Sequence, residues 1–368
     1  MRVGIVDADL LERSRHRFPN LAVMKLSAWH KSQGDDVELL DDWMGVLDKD
    51  LSYVSKVFTD TDVPVWVESA PNVVCGGTGF FYDRAEPLPH DVEHMMPDYR
   101  VYDAYFEKHP EKSKSKTKYY TDYSIGFMTR GCFRKCSFCV NRNSNASRAH
   151  SELSEFYDPS RKKICLLDDN FLACPQWREM LIELRETGKP FEFKQGLDER
   201  LLTDEKCELL FSSKYDGEFI FAFDDVSDYD LIGSKLEMIR RHTDKVCKFY
   251  VLCGYDRAGL YNESFFEQDI VDTFKRIDLL RDYGCLPYIM RHENYKNSPY
   301  AGMYINLARW CNQPSLFKKM SFYDFCKHPD HLGGATERYY DKFMGEQSYM
   351  NDSSVWATWQ DAQELLRR

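Results

Sequence analysis

No run of this chain approaches the twenty or so apolar residues needed to cross a bilayer, which excludes an ordinary membrane-spanning helix. Positive charge is in short supply: 49 Lys and Arg stand against 60 Asp and Glu, a formal charge of −11. That balance repels nucleic acid and anionic membrane at long range, so a bulk electrostatic grip on either is excluded, though a local basic patch is not. Cysteine at disulfide-scaffold density is lacking too, with twelve in 368 residues. Most stand singly among apolar neighbours (Cys165, Cys207, Cys247, Cys253) and read as small core residues. The N-terminal MRVGIVDADL meets acid at Asp7 and Asp9 before any long apolar run. No secretory leader is therefore expected, and the location expected is cytoplasmic.

What remains is a chain long for one simple core and short for three, so two domains is the working count. The first stretch patterns as a small α/β unit. Short apolar strands are expected at Arg2–Val6, Val37–Leu40, Val54–Phe58 and Val73–Val74, with a helix carrying Leu21, Val23, Met24 and Leu26. The last strand runs into Gly76-Gly77-Thr78-Gly79, where backbone could approach a ligand closely. Lys108 to Lys118, KHPEKSKSKTK, offers no apolar anchor and reads as a solvated linker or loop.

From Tyr123 to His292 strand-like and helix-like segments alternate. Strands are expected at Tyr123–Met128, Ile164–Leu167, Phe191–Lys194, Glu218–Phe223, Cys247–Cys253 and Leu286–Met290. Helices fall at 175–187, with Trp177, Met180, Leu181 and Leu184 on one face, and at 263–283, with Gly284 as a stop. Repeated strand-helix units demand a parallel sheet. Polar residues gathered after the strands favour a curved, partial (β/α)6 TIM-like barrel over an open doubly wound sheet. The fold expected is thus α/β: a Rossmann-like domain at 1–107, a basic linker at 108–122, the partial barrel at 123–292 and a C-terminal helical cap at 293–368. The cap is rich in Tyr300, Trp310, Phe322, Tyr323, Phe325, Trp356 and Trp359.

Three cysteines break the solitary pattern. Cys132, Cys136 and Cys139 fall in GCFRKCSFC, in a loop after the first barrel strand. Three thiolates are one short of the usual four around a four-iron cube, which leaves one iron open to a further ligand. Arg130, Arg134 and Lys135 make the loop a poor core segment and would favour thiolates. Zinc is the rival, but the second ligand pair it wants is missing, and the nearest later donors, His150 and Cys165, have no recognised spacing.

The spacing Cys-x3-Cys-x-aromatic-Cys, in Cys132, Cys136, Phe138 and Cys139, resembles the signature of the radical S-adenosylmethionine (SAM) superfamily. The resemblance implies a [4Fe-4S] cluster on the three cysteines, with the amino and carboxylate groups of SAM on the open iron and Phe138 and Val140 against adenine. It implies reductive cleavage of SAM to a 5′-deoxyadenosyl radical, and hence a low-potential electron donor of flavodoxin or ferredoxin type. The family's Gly-Gly-Glu-like motif is replaced by Asp168-Asp169-Asn170, which keeps acceptors for an ammonium. Gln195 and Asp224 stand where family members contact ribose or the methionyl group.

The N-terminal α/β unit is similar to that of cobalamin-associated members of the superfamily. Asp7-Ala8-Asp9-Leu10-Leu11-Glu12 lacks the histidine and glycine of the Asp-x-His-x-x-Gly motif, so a histidine-ligated cobalt is not expected, while cobalamin itself stays open. Cys75 stands alone before Cys132, which speaks against a second cluster. The function expected is a radical SAM enzyme acting on an unidentified substrate, with methyl transfer as one option. The alternative is a non-catalytic iron–sulfur or zinc protein that binds nucleic acid through 108–118.

Overall fold

A computed structural model describes residues 1–110, 114–328, 339, 342–343 and 357–360. The chain divides into two compact units, Met1–Lys194 and Gln195–Arg368.

The first unit opens with a four-stranded parallel sheet of β1 (Arg2–Asp7), β2 (Asp36–Leu39), β3 (Leu51–Ser55) and β4 (Val73–Gly76), in the order β2-β1-β3-β4. Its central strand is apolar on both faces because both are covered. Val3 and Ile5 pack with Val23, Met24, Tyr102 and Tyr105, while Val6 packs with Leu40, Val46, Val54 and Val67. Asn20 starts the helix Leu21–Ser32 by accepting from the Ala22 and Val23 amides, and Gly34, at φ +82°, follows its end. The third strand lies earlier than the apolar run 54–58 indicated, and Val57 and Phe58 are exposed beyond its end. The glycine loop serves the chain's own backbone. A Cβ on Gly77 would stand 2.4 Å from the Lys56 carbonyl oxygen, and one on Gly79 2.9 Å from the same atom.

Three further strands, β5 (Tyr123–Gly126), β8 (Lys163–Leu166) and β9 (Phe191–Phe193), pair in parallel as β5-β8-β9. Between them β6 (Thr129–Arg130) and β7 (Arg148–Ala149) form a short antiparallel ladder. The strand expected to run unbroken to Met128 thus stops at Gly126 and resumes as β6. The linker expectation needs a larger correction, because Lys114–Thr121 is an α-helix. Its anchor lies at its end: Tyr120 joins the core of the first sheet, and Tyr119 stacks on Tyr123 at 4.6 Å. Lys108 pairs with Asp41 at 3.0 Å. Residues 111–113 of the linker lie outside the described residues.

Tyr99 explains why the first unit reaches past residue 107. It belongs to the core of the first sheet, yet its hydroxyl donates to the Phe156 carbonyl at 2.6 Å and accepts from the Ile125 amide at 2.8 Å. Arg161 adds bonds to the carbonyls of Tyr99, Tyr120 and Tyr123.

The second unit holds the parallel sheet β10 (Ile220–Ala222), β11 (Lys248–Cys253) and β12 (Leu286–Arg291). Phe266, Ile270, Phe274 and Ile277 of the helix Glu263–Asp282 are buried, as the periodicity predicts, and Gly284 at φ +65° follows it. Arg276 of that helix is 2% exposed and spreads its guanidinium over the carbonyls of Phe223, Asp224 and Leu252 at 2.8–3.1 Å. Asn312 closes onto β12, its side chain accepting from the Ile289 amide (2.7 Å) and donating to the Ile289 carbonyl (3.1 Å). The C-terminal segment is helical at Ala301–Cys311, Pro314–Phe317 and Phe322–Lys327, with Trp310, Phe322 and Phe325 buried. Trp356 lies outside the described residues. No helix among the described residues is long and apolar enough to cross a membrane.

Candidate functional site

The loop that carries Cys132, Cys136 and Cys139 leaves β6 and returns through β7, so both ends are fixed by backbone pairing. Gly131 makes the departure at φ +89°, where a Cβ would stand 2.4 Å from the Ala146 carbonyl oxygen and 2.5 Å from the Ser144 hydroxyl. Lys135, before the second cysteine, also has positive φ, +52°. Ser144 accepts from the Cys132 amide at 3.2 Å and donates to the Ala146 carbonyl at 3.2 Å. Tyr82 donates to the Phe138 carbonyl at 2.8 Å, and Asp83 pairs with Arg142 at 2.7 Å.

All three cysteines are half-buried. Backbone amides point at two of the sulfurs, Arg134 N–H at Cys132 and Asn141 N–H at Cys139, each at 3.4 Å. Such bonds are among the levers that set an iron–sulfur potential. In kind the donor set fits a cluster: three thiols within eight positions, on a loop anchored at both ends. Among the described residues no three His, Cys, Asp or Glu side chains already surround a point that could hold a metal ion. The rival zinc ligands are engaged elsewhere: Cys165 is buried in β8, and the His150 ring stacks on His94 at 5.1 Å.

Asp168, Asp169 and Asn170 follow β8, and the structure gives each a different task. Asp168 is 1% exposed and accepts from the Thr129 amide (2.6 Å), the Thr129 hydroxyl (2.7 Å) and the Met128 amide (3.3 Å). It organises the backbone between β5 and β6. Burial outweighs these three donors and pushes its carboxyl up to about 7. Asp169 accepts from the Gly131 amide and from the Asn141 side chain, both at 2.7 Å. Asn170 donates to the Cys132 sulfur at 3.4 Å. Phe138 and Val140 are half-buried on the same loop. The structure therefore brings together the three cysteines' loop, Asp169 and Asn170.

Gln195 and Asp224 belong to the second unit. Gln195 is exposed. Asp224 accepts from the Leu252 amide at 3.2 Å, and burial raises its carboxyl above the ordinary range. Cys75, half-buried at the end of β4, has its thiol pushed up by burial, which suits packing better than reactivity. Asn141 and Ser144 were not singled out from the sequence. The available signal was two short polar side chains close behind Cys139, a place where loops commonly bond their own backbone.

No family model matches the sequence, and no curated protein matches it. Solved structures do. The chain is similar to the radical SAM methyltransferase TsrM from Kitasatospora setae, solved with cobalamin and a [4Fe-4S] cluster bound. That match has a TM-score of 0.51 at 14% identity, over 79% of this chain and 74% of that one. TsrM with tryptophan substrate and the SAM analogue aza-SAM gives 0.51 at 13% identity, over 78% and 72%. The likeness establishes a common fold, and the spacing of the three cysteines resembles the superfamily in which that fold is found.

Proposed function

We propose that this chain is a radical SAM enzyme whose Cys132, Cys136 and Cys139 hold a [4Fe-4S] cluster. The observation that carries the proposal is the tethering of the three-thiol loop to the residues that follow β8, through Asp169 on both stems and Asn170 on the Cys132 sulfur. The shared fold with TsrM supports it. When bound, the cluster would supply the one electron that splits the sulfonium of SAM into methionine and a 5′-deoxyadenosyl radical. Known cluster potentials run from roughly −700 to +450 mV and this step needs the low end, so a flavodoxin- or ferredoxin-like donor serves it.

In this reading residues 1–107 form a cobalamin-binding-like domain, 108–122 a connecting segment, 123–292 a partial barrel and 293–368 a cap. Phe138 and Val140 would lie along the adenine and Asn170 would meet the methionyl group, while Gln195 and Asp224 stand at the positions in sequence where superfamily members contact ribose or the methionyl group. Asp168 holds the backbone that presents the loop. Methyl transfer is the reaction named for TsrM, and cobalamin would make the same reaction available here.

Anaerobic reconstitution with iron and sulfide, followed by dithionite and SAM, should yield 5′-deoxyadenosine by mass spectrometry. Alanine at any one of the three cysteines should abolish that yield. Mössbauer spectra of reconstituted wild-type protein without a cubane signature would end the proposal.

A further inference from the structure

We infer that Asp169 and Asn141 form a clasp that holds the two stems of the cysteine loop together, which makes Asp169 a positioning residue for the cluster rather than a contact to the nucleotide. The inference rests on the proposed function for its consequence, though the clasp itself is a property of the chain. One carboxylate oxygen takes the amide of Gly131, the residue before Cys132; the other takes the side-chain amide of Asn141, two residues after Cys139. Both bonds are 2.7 Å, the short range of a charged acceptor. A single side chain on the strand-end segment thus bridges two points ten positions apart in sequence, with all three thiols between them.

The neighbours of Asp169 sharpen the assignment. Asp168 fixes Met128 and Thr129, and Asn170 reaches the Cys132 sulfur, so three consecutive residues hold the approach to the loop, its stems and one of its sulfurs. Cluster uptake closes the loop around an inorganic core and so requires the chain that carries the three thiols to be ordered. Stems already joined leave only the short arc between them to be ordered, which lowers the entropic cost of that closure.

A relocated charge tests the clasp. Asn141→Asp alone sets two carboxylates face to face. Adding Asp169→Asn restores a carboxylate–amide pair with donor and acceptor exchanged, while the new amide oxygen still serves Gly131. Three quantities are read on the full chain: amide exchange over 131–141 in iron-free protein, iron per chain after reconstitution, and SAM affinity. In Asn141→Asp, exchange should rise about tenfold or more and iron should fall severalfold. In the double variant exchange, iron and SAM affinity should all return toward wild type.

A double variant as open as Asn141→Asp, or an Asn141→Asp loop as protected as wild type, overturns the clasp. Recovery of iron without recovery of SAM affinity overturns the positioning role and makes Asp169 a nucleotide contact. If wild-type protein takes up no iron, the proposed function fails, while the exchange data still decide whether the clasp exists.

Discussion

Gly131→Ala is the sharpest single perturbation of the cysteine loop, and Gly34→Ala is its natural control. Both glycines have nearly the same left-handed backbone, φ +89° and +82°. A side chain at either position therefore carries a conformational strain of about 1–3 kcal/mol. They differ in surroundings. Nothing lies within 4 Å of a Cβ built on Gly34, whereas one on Gly131 meets the Ala146 carbonyl oxygen at 2.4 Å and the Ser144 hydroxyl at 2.5 Å. Relieving that overlap costs about another 1–3 kcal/mol, as overpacking does elsewhere. It also displaces Ser144 from its bonds to the Cys132 amide and the Ala146 carbonyl.

Amide exchange at Cys132 and Ser144 is the assay. Protection should fall at least tenfold in Gly131→Ala, a decade corresponding to about 1.4 kcal/mol, and should be unchanged there in Gly34→Ala. Adding Ser144→Ala to Gly131→Ala should not restore protection, because the Ala146 carbonyl and the backbone strain remain. Wild-type exchange in Gly131→Ala would refute the loop conformation from which these figures are drawn.

Asp7 offers a test of pH dependence. It is fully buried, accepts from the Leu10 amide and the Tyr102 hydroxyl, and burial raises it to about 6. A carboxyl raised on folding contributes stability below its unfolded pKa and loses it as pH rises through the folded value. Denaturation midpoints should thus fall between pH 4 and 7 by an amount equivalent to at most about 3 kcal/mol. Asp7→Asn should flatten that segment, and an unchanged slope would assign it to other groups. Asn312→Ala removes both side-chain bonds to Ile289 and should cost about 1–3 kcal/mol in thermal or chemical unfolding. Asn312→Asp keeps the acceptor for the Ile289 amide but sets a carboxylate oxygen against the Ile289 carbonyl, so it should be well below wild type too; wild-type stability in both variants would deny Asn312 its part in holding β12.

Much of this was legible in the sequence because the signals were local. Apolar runs separated by helical periodicity gave nine of the parallel strands to within two residues at either end, and the cysteine spacing marked the loop. The tenth, β3, was displaced because Val57 and Phe58 look like strand residues and are in fact exposed beyond it. The helix at Lys114–Thr121 was hidden because its lysines and Ser115 read as solvated, while the tyrosines that anchor it stand at its far end. Asp168 and Asp169 look alike in a string of letters. Their division of labour comes from burial and from which amides each one faces, and those amides lie about forty positions away in the chain.

The Arg276 fan bears on how the second unit can recognise anything at the carboxyl ends of its strands. Main-chain oxygens of Phe223, Asp224 and Leu252 already face one guanidinium. Each of these oxygens has given one of its two lone pairs to the guanidinium, so side chains would carry the larger share of any discrimination at this end. Specificity carried that way can be rewritten by point substitution while the strands beneath stay as they are.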